Sequence, residues 1–305
     1  MSLDTKSGRE PIGPAARSKH DARDADAIAP GLYVVATPIG NADDITLRAL
    51  RVLRQADVIA CEDTRVSAKL LRRHGIATER VSYHDHNAAR MGPVLIERIA
   101  AGAAVALISD AGTPLVSDPG YALVRAAIAR GVAVTVVPGP SAPVAALVLS
   151  GLPAERFLFA GFLPPKAAAR RRALETLKPV PATLVFLEAA PRLAAALADM
   201  AEVLGDRPAA VARELTKLFE EVRRDRLAAL AATYRAAGPP KGEIVVVVGP
   251  PEDAPAIGAA ALDDALRAAL VRMSVKDASA AVAAATGLPR RAVYARALQL
   301  VGSGS

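Results

Sequence analysis

Two ionisable side chains stand directly after short β-branched runs of the sequence, where each could accept a proton. Glu62 follows the second such run and His84 follows the third. A carboxylate or a neutral imidazole in this position can act as a general base, whereas Arg65 would suit a phosphate group. We therefore predict Glu62 and His84 as catalytic residues and Arg65 as a phosphate contact. The alternative is that Glu62 and Asp63 serve only as a cap for the next helix.

Metal and disulfide chemistry are not indicated by the sequence. His84 and His86 would point to opposite sides of an extended chain, so we predict no metal site there. The single cysteine, Cys61, excludes a disulfide framework and any multi-cysteine zinc or iron–sulfur site. We interpret Cys61 as a small core residue of a protein from a reducing compartment, and we predict a cytoplasmic location.

Three loops rich in glycine and proline follow the first, fourth and fifth predicted strands. They span residues 37–41, 110–120 and 138–142. In a doubly wound sheet a ligand binds at the carboxyl ends of the strands, so these loops predict a concave site lined by backbone groups. The chain has no Walker lysine loop and no G-x-G-x-x-G pattern, so a ligand such as an adenosine without phosphates is favoured. Taken singly, each loop is also compatible with an ordinary tight turn.

Short apolar runs alternate with helical patterns from Gly31 onward, which is typical of α/β architecture. Five runs predict a parallel first sheet: Leu32–Thr37, Asp57–Cys61, Arg80–Tyr83, Ala103–Ser109 and Val132–Val137. Five more predict a second sheet: Arg156–Gly161, Thr183–Glu188, Ala209–Arg213, Leu218–Arg223 and Glu243–Gly249. The link from Glu214 to Lys217 is too short for a helical crossover, so the strands beside it should be antiparallel and the second sheet mixed.

The predicted fold class is therefore two α/β domains, one with a parallel and one with a mixed five-stranded sheet, followed by a small helical tail. A length of 305 residues agrees with two domains of about 150 residues each. We predict a disordered tail (1–30), a first domain (31–149), a second domain (154–250) and a helix-turn-helix-like tail (259–305). The longest apolar stretch contains three prolines, so no membrane span is predicted. We also predict Asp43 or Asp44 as the cap of the first helix, and helix ends at Gly75, Gly102 and Gly131.

The positive charge of the chain is concentrated in two segments. The formal net charge is +7, and residues 166–178 and 263–305 match this excess. Such clusters suit a polyanion, although solvated helix faces would look the same. Aromatic residues make up only 3% of the chain, so a platform that stacks bases has little to be built from. The predicted polyanion contacts are Lys166, Arg170, Arg171, Arg172, Lys217, Lys241, Arg290 and Arg291, with Arg296 on the same helix as the last two.

Several long motifs occur in a fixed order. They are YVVATPIGN at 33–41, CEDTR at 61–65, HDHN at 84–87, SDAGTP at 109–114 and RELTK at 213–217. Together they resemble the ribosomal RNA small subunit methyltransferase I family, which belongs to the tetrapyrrole methylase superfamily. The resemblance covers residues 31–249, and the helical tail resembles the C-terminal module of the same family.

The resemblance implies two α/β domains that clasp S-adenosylmethionine and a methyl transfer to the ribose 2′-hydroxyl of a cytidine in the decoding region of 16S ribosomal RNA. The RNA partner would be free small-subunit RNA or the 30S subunit, and the family implies a homodimer. Carried over motif by motif, the expected cofactor contacts are Pro38, Asp110, Thr113, Val116, Ser141, Ala142, Leu187, Leu215 and Gly242. In this setting the predicted polyanion contacts, together with Arg65, become RNA contacts.

Two other functions stay open from the sequence. The first is a methyltransferase acting on a corrin or porphyrin precursor, because such acidic macrocycles would also suit arginine. The second is a non-enzymatic, ligand-sensing protein that binds nucleic acid through its tail. The basic helical tail favours an RNA substrate over a macrocycle, since a small molecule needs no such module.

Overall fold

The computed structural model describes residues 27–252, 259–286 and 288–302. The chain forms two compact units, and it passes from the first to the second between Ser141 and Ala142. One unit contains a parallel sheet, the other a mixed sheet and the C-terminal helices, which confirms the predicted fold class. The predicted disordered tail falls largely on residues 1–26, which lie outside the described residues. The predicted domain boundaries at 149 and 154 stay predictions.

The first unit is a parallel sheet with helices on both faces. Its elements are β1 (Gly31–Val35), α1 (Leu47–Gln55), β2 (Val58–Cys61), α2 (Thr64–Arg73), β3 (Glu79–Ser82), α3 (Ala88–Ala100), β4 (Ala104–Ile108), α4 (Tyr121–Ala129) and β5 (Val134–Val137). The strand order is β3-β2-β4-β1-β5, and every pair is parallel. Along β2, Val58 packs into one core cluster and Ile59 into the other, because neighbouring side chains of a strand point to opposite faces. Both faces of the sheet are therefore covered.

The helix ends of the first unit agree only partly with the sequence prediction. The cap of α1 is Thr46, whose hydroxyl accepts a hydrogen bond from the Ala49 amide at 3.1 Å. The prediction of Asp43 or Asp44 was wrong, because both lie in a short 3₁₀ turn that Asn41 caps. The predicted glycine ends are confirmed, since residues 75, 102 and 131 have φ values of 63°, 101° and 67°.

The second unit contains the predicted mixed sheet. Its elements before the tail are α5 (Ala142–Ser150), β6 (Phe157–Phe162), α6 (Ala167–Leu177), β7 (Thr183–Glu188), α7 (Leu193–Leu204), β8 (Pro208–Arg213), β9 (Glu221–Arg226), α8 (Leu227–Ala237) and β10 (Ile244–Val248). The strand order is β6-β7-β10-β8-β9; β6 pairs parallel with β7, and the other pairs are antiparallel. The antiparallel pairing of β8 with β9 was predicted, but β9 begins at Glu221, so Leu218 lies in the connecting loop.

Three helices form the C-terminal part of the second unit. They are α9 (Ala259–Leu270), α10 (Val275–Thr286) and α11 (Arg290–Gly302), and they share a small apolar core around Leu266 and Val293. Arg296 donates two hydrogen bonds of 2.7 Å to the carboxylate of Asp263. Arg296 therefore ties α11 to α9, which corrects its interpretation as a nucleic-acid contact. None of the described helices is long and apolar enough to cross a membrane.

Candidate active site

The loops after the strands of the first unit are bonded to one another at the carboxyl edge of the sheet. Thr37 and Gly112 exchange backbone hydrogen bonds of 2.8 and 3.0 Å, which joins the loop after β1 to the loop after β4. The hydroxyl of Thr113 donates to the carbonyl of Pro140 at 3.1 Å, which adds the loop after β5. The Asp63 amide donates to the Asp110 carboxylate at 3.1 Å, which adds the loop after β2. Four loops therefore form one bonded rim.

The predicted cofactor residues of the first unit follow this rim. Pro38, Asp110, Thr113 and Ser141 lie on the joined loops and are half-buried, and Val116 is more exposed. The structure therefore brings these five residues to one edge of one sheet. Ala142 begins α5 and belongs to the second unit.

The loop after β4 has an unusual backbone. Leu115 and Ser117 adopt positive φ values of 74° and 67°, although neither is glycine. Gly120 closes the loop with φ at 136°, and a Cβ there would stand 2.8 Å from side-chain atoms of Leu107 and Leu115. Residues in such conformations persist only where their surroundings fix them, and they cluster at ligand clamps and active sites. The rigid rim supplies such surroundings.

Several carboxylates give this edge a negative character. Burial raises the pKa of Glu62, and Asp110, Asp118 and Asp85 raise it further. Burial also raises the pKa values of Asp110 and Asp118. Each ionised carboxylate opposes ionisation of its neighbours, so a cation placed at this edge would lower the free energy of the ionised forms. Among the described residues, no group of three or more His, Cys, Asp or Glu is arranged to hold a metal ion.

Asp118 is a member of this carboxylate group that the sequence reasoning missed as a site residue. It was visible only as one polar residue in a long loop after the fourth strand. The loop carries Asp118 as a second aspartate after Asp110, and this repetition is the signal that could have identified it.

His84 lies in a tight turn after β3 and not on extended chain. The Asn87 side chain accepts a hydrogen bond from the His84 amide at 2.9 Å, and the Asn87 amide donates to the His84 carbonyl at the same distance. The turn brings the rings of His84 and His86 to a centroid separation of 5.9 Å, so the extended conformation on which their predicted opposite directions depended is not adopted. The Nδ1 atom of His84 is buried without a hydrogen-bond partner among the described residues.

Asp63 and Arg65 have a local structural role. The Asp63 carboxylate accepts a hydrogen bond from the Arg65 amide at 2.8 Å, and this caps α2. The Arg65 guanidinium also contacts both carboxylate oxygens of Asp63, and these bonds hold the pKa of Asp63 well below its usual range. The capping alternative is therefore realised by Asp63 and not by Glu62. Arg65 is exposed but already paired.

In the second unit, the loop between β8 and β9 is held by an ion network. Lys217 Nζ lies 2.8 Å from Glu214 and 2.9 Å from Glu243. Gly242 has φ at 98°, and a Cβ there would stand 2.3 Å from the Glu214 carboxylate. Two carboxylates thus neutralise Lys217, which corrects the prediction that this lysine is available to contact a phosphate of the RNA. Leu215, a predicted cofactor contact, is buried within this loop.

A second ion pair lies at the end of β7, beside Leu187. Glu188 is buried, and its carboxylate lies 2.7 Å from the Arg192 guanidinium and 2.7 Å from the Ala189 amide. The Nε atom of Arg192 is buried without a partner among the described residues. Sequence reasoning did not find this pair, although the spacing of four residues between Glu188 and Arg192 is a visible signal.

The predicted polyanion contacts on α6 separate into different roles. Arg170 is buried, and its Nε donates to Asp199 at 2.7 Å, so it cannot project into solvent as predicted. Arg171 donates to the other oxygen of Asp199 at 2.7 Å but is half exposed. Arg172 and Lys166 are exposed and make no ion pair with another described residue. The same holds for Lys241, Arg290 and Arg291, so five predicted contacts remain available to a ligand.

Comparison with known families places this geometry in context. The tetrapyrrole (corrin/porphyrin) methylase family matches residues 31–231, and the RsmI C-terminal HTH domain matches residues 256–301. Two curated proteins named ribosomal RNA small subunit methyltransferase I are similar to most of the chain. The protein from Mesorhizobium japonicum is 56% identical, over 90% of this chain and 94% of its own. The protein from Erythrobacter litoralis is 54% identical, over 92% of this chain and 99% of its own.

Solved structures show the same fold. The uroporphyrin-III C-methyltransferase of Thermus thermophilus has 26% identity and a TM-score of 0.52, over 72% of this chain and 94% of that protein. A conserved hypothetical protein of Aeropyrum pernix has 21% identity and a TM-score of 0.56, over 91% of this chain and 98% of that protein. At this identity the second likeness concerns the fold alone.

Proposed function

This chain belongs to the ribosomal RNA small subunit methyltransferase I family of tetrapyrrole methylases, and on that premise we propose that it transfers a methyl group from S-adenosylmethionine to small-subunit ribosomal RNA. The acceptor we propose is the ribose 2′-hydroxyl of a cytidine in the decoding region. The RNA is presented as free RNA or within the 30S subunit. The enzyme works as a homodimer in the cytoplasm.

The observation that carries this proposal is the bonded rim of loops around a negative edge in the first unit. S-adenosylmethionine has no phosphates and carries a positive sulfonium, so it suits a site of backbone groups and carboxylates. The described residues fit it, because Thr37, Gly112 and Thr113 join three loops, while Asp110 and Glu62 add negative charge. We propose Pro38, Asp110, Thr113, Val116 and Ser141 as its contacts in this unit. The contacts that the resemblance implies in the second unit, Ala142, Leu187, Leu215 and Gly242, stay predictions. When bound, the cofactor supplies an electrophilic methyl group with a good leaving group.

The chain must then supply the positioning and proton transfer that a ribose hydroxyl needs. A hydroxyl is a weak nucleophile, so a base near the methyl group and correct alignment both lower the barrier. Glu62 is our first candidate for the base, because its raised pKa makes it a stronger proton acceptor than an ordinary glutamate. His84 is the second candidate, since it lies in the turn after β3 and its Nδ1 has no hydrogen-bond partner among the described residues.

The exposed cations support the RNA substrate. Lys166 caps the start of α6 and Arg172 lies in its middle, and Arg290 and Arg291 begin α11 in the tail. Contacts of this kind hold phosphates without reading sequence. The proposed dimer is supported by large apolar side chains that are exposed on the first unit, at Tyr121, Ile128 and Val136. Analytical ultracentrifugation would measure the oligomeric state directly.

One experiment separates the proposed substrate from a macrocycle. Tritiated cofactor is supplied with naked small-subunit RNA, with assembled subunits and with a porphyrinogen. We expect label only in the RNA or the subunit, in a nucleotide whose 3′ linkage resists alkaline hydrolysis because the 2′-oxygen is methylated. Label only in the macrocycle would overturn the proposal, and binding without transfer would favour the ligand-sensing alternative.

A further inference from the structure

Two large apolar side chains stand at the tip of the loop between β8 and β9. Leu218 and Phe219 keep 89% and 67% of their surface exposed. The cofactor and base positions proposed above do not include either side chain. Exposing two neighbouring large apolar side chains on a turn is costly, and an exposed apolar cluster marks a contact surface.

The loop that carries them is held in a fixed shape. Two successive turns form it, because the Lys217 amide donates to the Glu214 carbonyl at 3.0 Å and the Glu220 amide donates to the Lys217 carbonyl at 3.1 Å. Leu218 and Phe219 are the two central residues of the second turn. Glu214 and Thr216 adopt positive φ values of 52° and 65°, which non-glycine residues keep only where neighbours fix them.

Polar contacts at the base of the loop fix that backbone. Lys217 bridges Glu214 and Glu243 as described above, and the Glu220 carboxylate accepts a hydrogen bond from the Thr216 amide at 2.7 Å. Below them, Arg213 joins Glu221 across the two strands at 3.1 Å. The tip is therefore presented with little freedom left to lose on binding, which favours affinity.

A cation at the foot of the loop, unpaired among the described residues, suits a nucleic acid. The carboxylates of the loop are all bonded within it, as the previous contacts show. Lys241 is exposed and makes no ion pair with another described residue, and its carbonyl accepts from Arg213 at 3.2 Å at the foot of the loop. An exposed apolar ring on a loop whose foot carries such a lysine matches a nucleotide, whose base would stack on the ring while its phosphate meets the cation.

We propose that Leu218 and Phe219 bind an unpaired base of the RNA substrate, with Phe219 stacking on it and Lys241 holding an adjacent phosphate. The inference rests on the proposed function for the identity of the RNA. It also refines what the composition suggested: a chain with 3% aromatic residues cannot build a stacking platform, but one rigidly presented ring suffices for one base.

The absence of tryptophan from the chain allows a direct test. Phe219→Trp introduces a single fluorophore at an exposed position, and its emission is followed as a short single-stranded RNA is added. We expect strong quenching, because a stacked base quenches indole fluorescence. The matched control is Phe162→Trp, at a position on the edge strand β6 with 55% exposure, and we expect little change there. Equal quenching in both variants, or none in Phe219→Trp, would overturn the inference.

Binding measurements add a second readout. Phe219→Ala and Phe219→Leu should both weaken RNA affinity by about 5- to 150-fold, the range for loss of one base–aromatic stack, and Phe219→Trp should keep it. If Phe219→Leu binds as the unmodified protein does, the contact is apolar packing and not stacking. If the Phe219→Trp emission shifts to the blue with protein concentration alone, a second copy of the chain covers the tip. The first result refutes the proposed stacking, and the second refutes the base contact altogether.

The same preparation separates this inference from the proposed function. If the unmodified protein methylates small subunits but Phe219→Trp is not quenched, only the inference fails. If Phe219→Trp is quenched but no substrate RNA is methylated, the proposed function fails and the RNA contact stands.

Discussion

Replacing Arg170 by alanine should destabilise the second unit and leave the grip on RNA unchanged, although the sequence places Arg170 in a run of three arginines. The side chains of Arg170 and Asp199 are each 6% exposed. Removing the arginine leaves a buried carboxylate with a single remaining partner, Arg171, and also frees the Pro165 carbonyl that Arg170 bonds at 3.1 Å. Breaking a buried ion pair costs about 3–5 kcal/mol of unfolding free energy. Because the bond from Arg171 to Asp199 survives, we expect a loss at the lower end, about 3 kcal/mol.

The matched variant is Arg172→Ala on the same helix. Arg172 is exposed and unpaired among the described residues, so its loss should change stability by no more than about 0.5 kcal/mol. It should weaken RNA binding and reduce the slope of log affinity against log salt by about one. Urea unfolding measures the first effect, and RNA titrations at several salt concentrations measure the second.

A double variant separates charge from packing at the buried pair. Arg170→Met with Asp199→Leu removes both charges and keeps the volume apolar, so it should recover most of the stability lost in Arg170→Ala. The reasoning fails if Arg170→Ala keeps the unmodified urea midpoint, or if it lowers the salt slope as Arg172→Ala does.

Two further predictions concern the loops. Glu62→Gln should lower the rate of methyl transfer by about 10²- to 10⁴-fold, and an unchanged rate would remove Glu62 as the base. Because the pKa of Glu62 is raised in the folded state, the contribution of its carboxyl group to stability falls as pH rises from the unfolded to the folded pKa. The variant should therefore unfold at a higher urea concentration than the unmodified protein at pH 7. Gly242→Ala should lower the free energy of unfolding more than Gly238→Ala does. Both glycines have positive φ, but only at residue 242 would a Cβ meet the Glu214 side chain. Equal urea midpoints for the two variants would show that Glu214 moves aside freely.

Periodicity along the chain was enough to predict most of the fold. Alternating apolar runs and helical patterns predicted the two five-stranded sheets, and the short link at Glu214–Lys217 predicted the antiparallel pairing of β8 with β9. These features depend on neighbours in sequence. The assignment of Leu218 to a strand was wrong for the same reason, because an apolar residue reads as a strand former whether it is buried or held at the tip of a turn.

The motifs by themselves determined the family and the loops that form the candidate site. What each charged residue does was decided only by the tertiary structure. Arg170, Arg171 and Arg172 are adjacent and chemically identical. Asp199, which is distant in sequence, pairs with the buried Arg170 and gives it a structural role, whereas Arg172 has no such partner among the described residues and stays available to a ligand. Likewise, Asp118 joins Glu62 only because parallel strands bring their carboxyl ends to one edge. Local pattern fixes an element, whereas burial and pairing depend on contacts distant in sequence, which is why the role of a charge could not be derived from its neighbours.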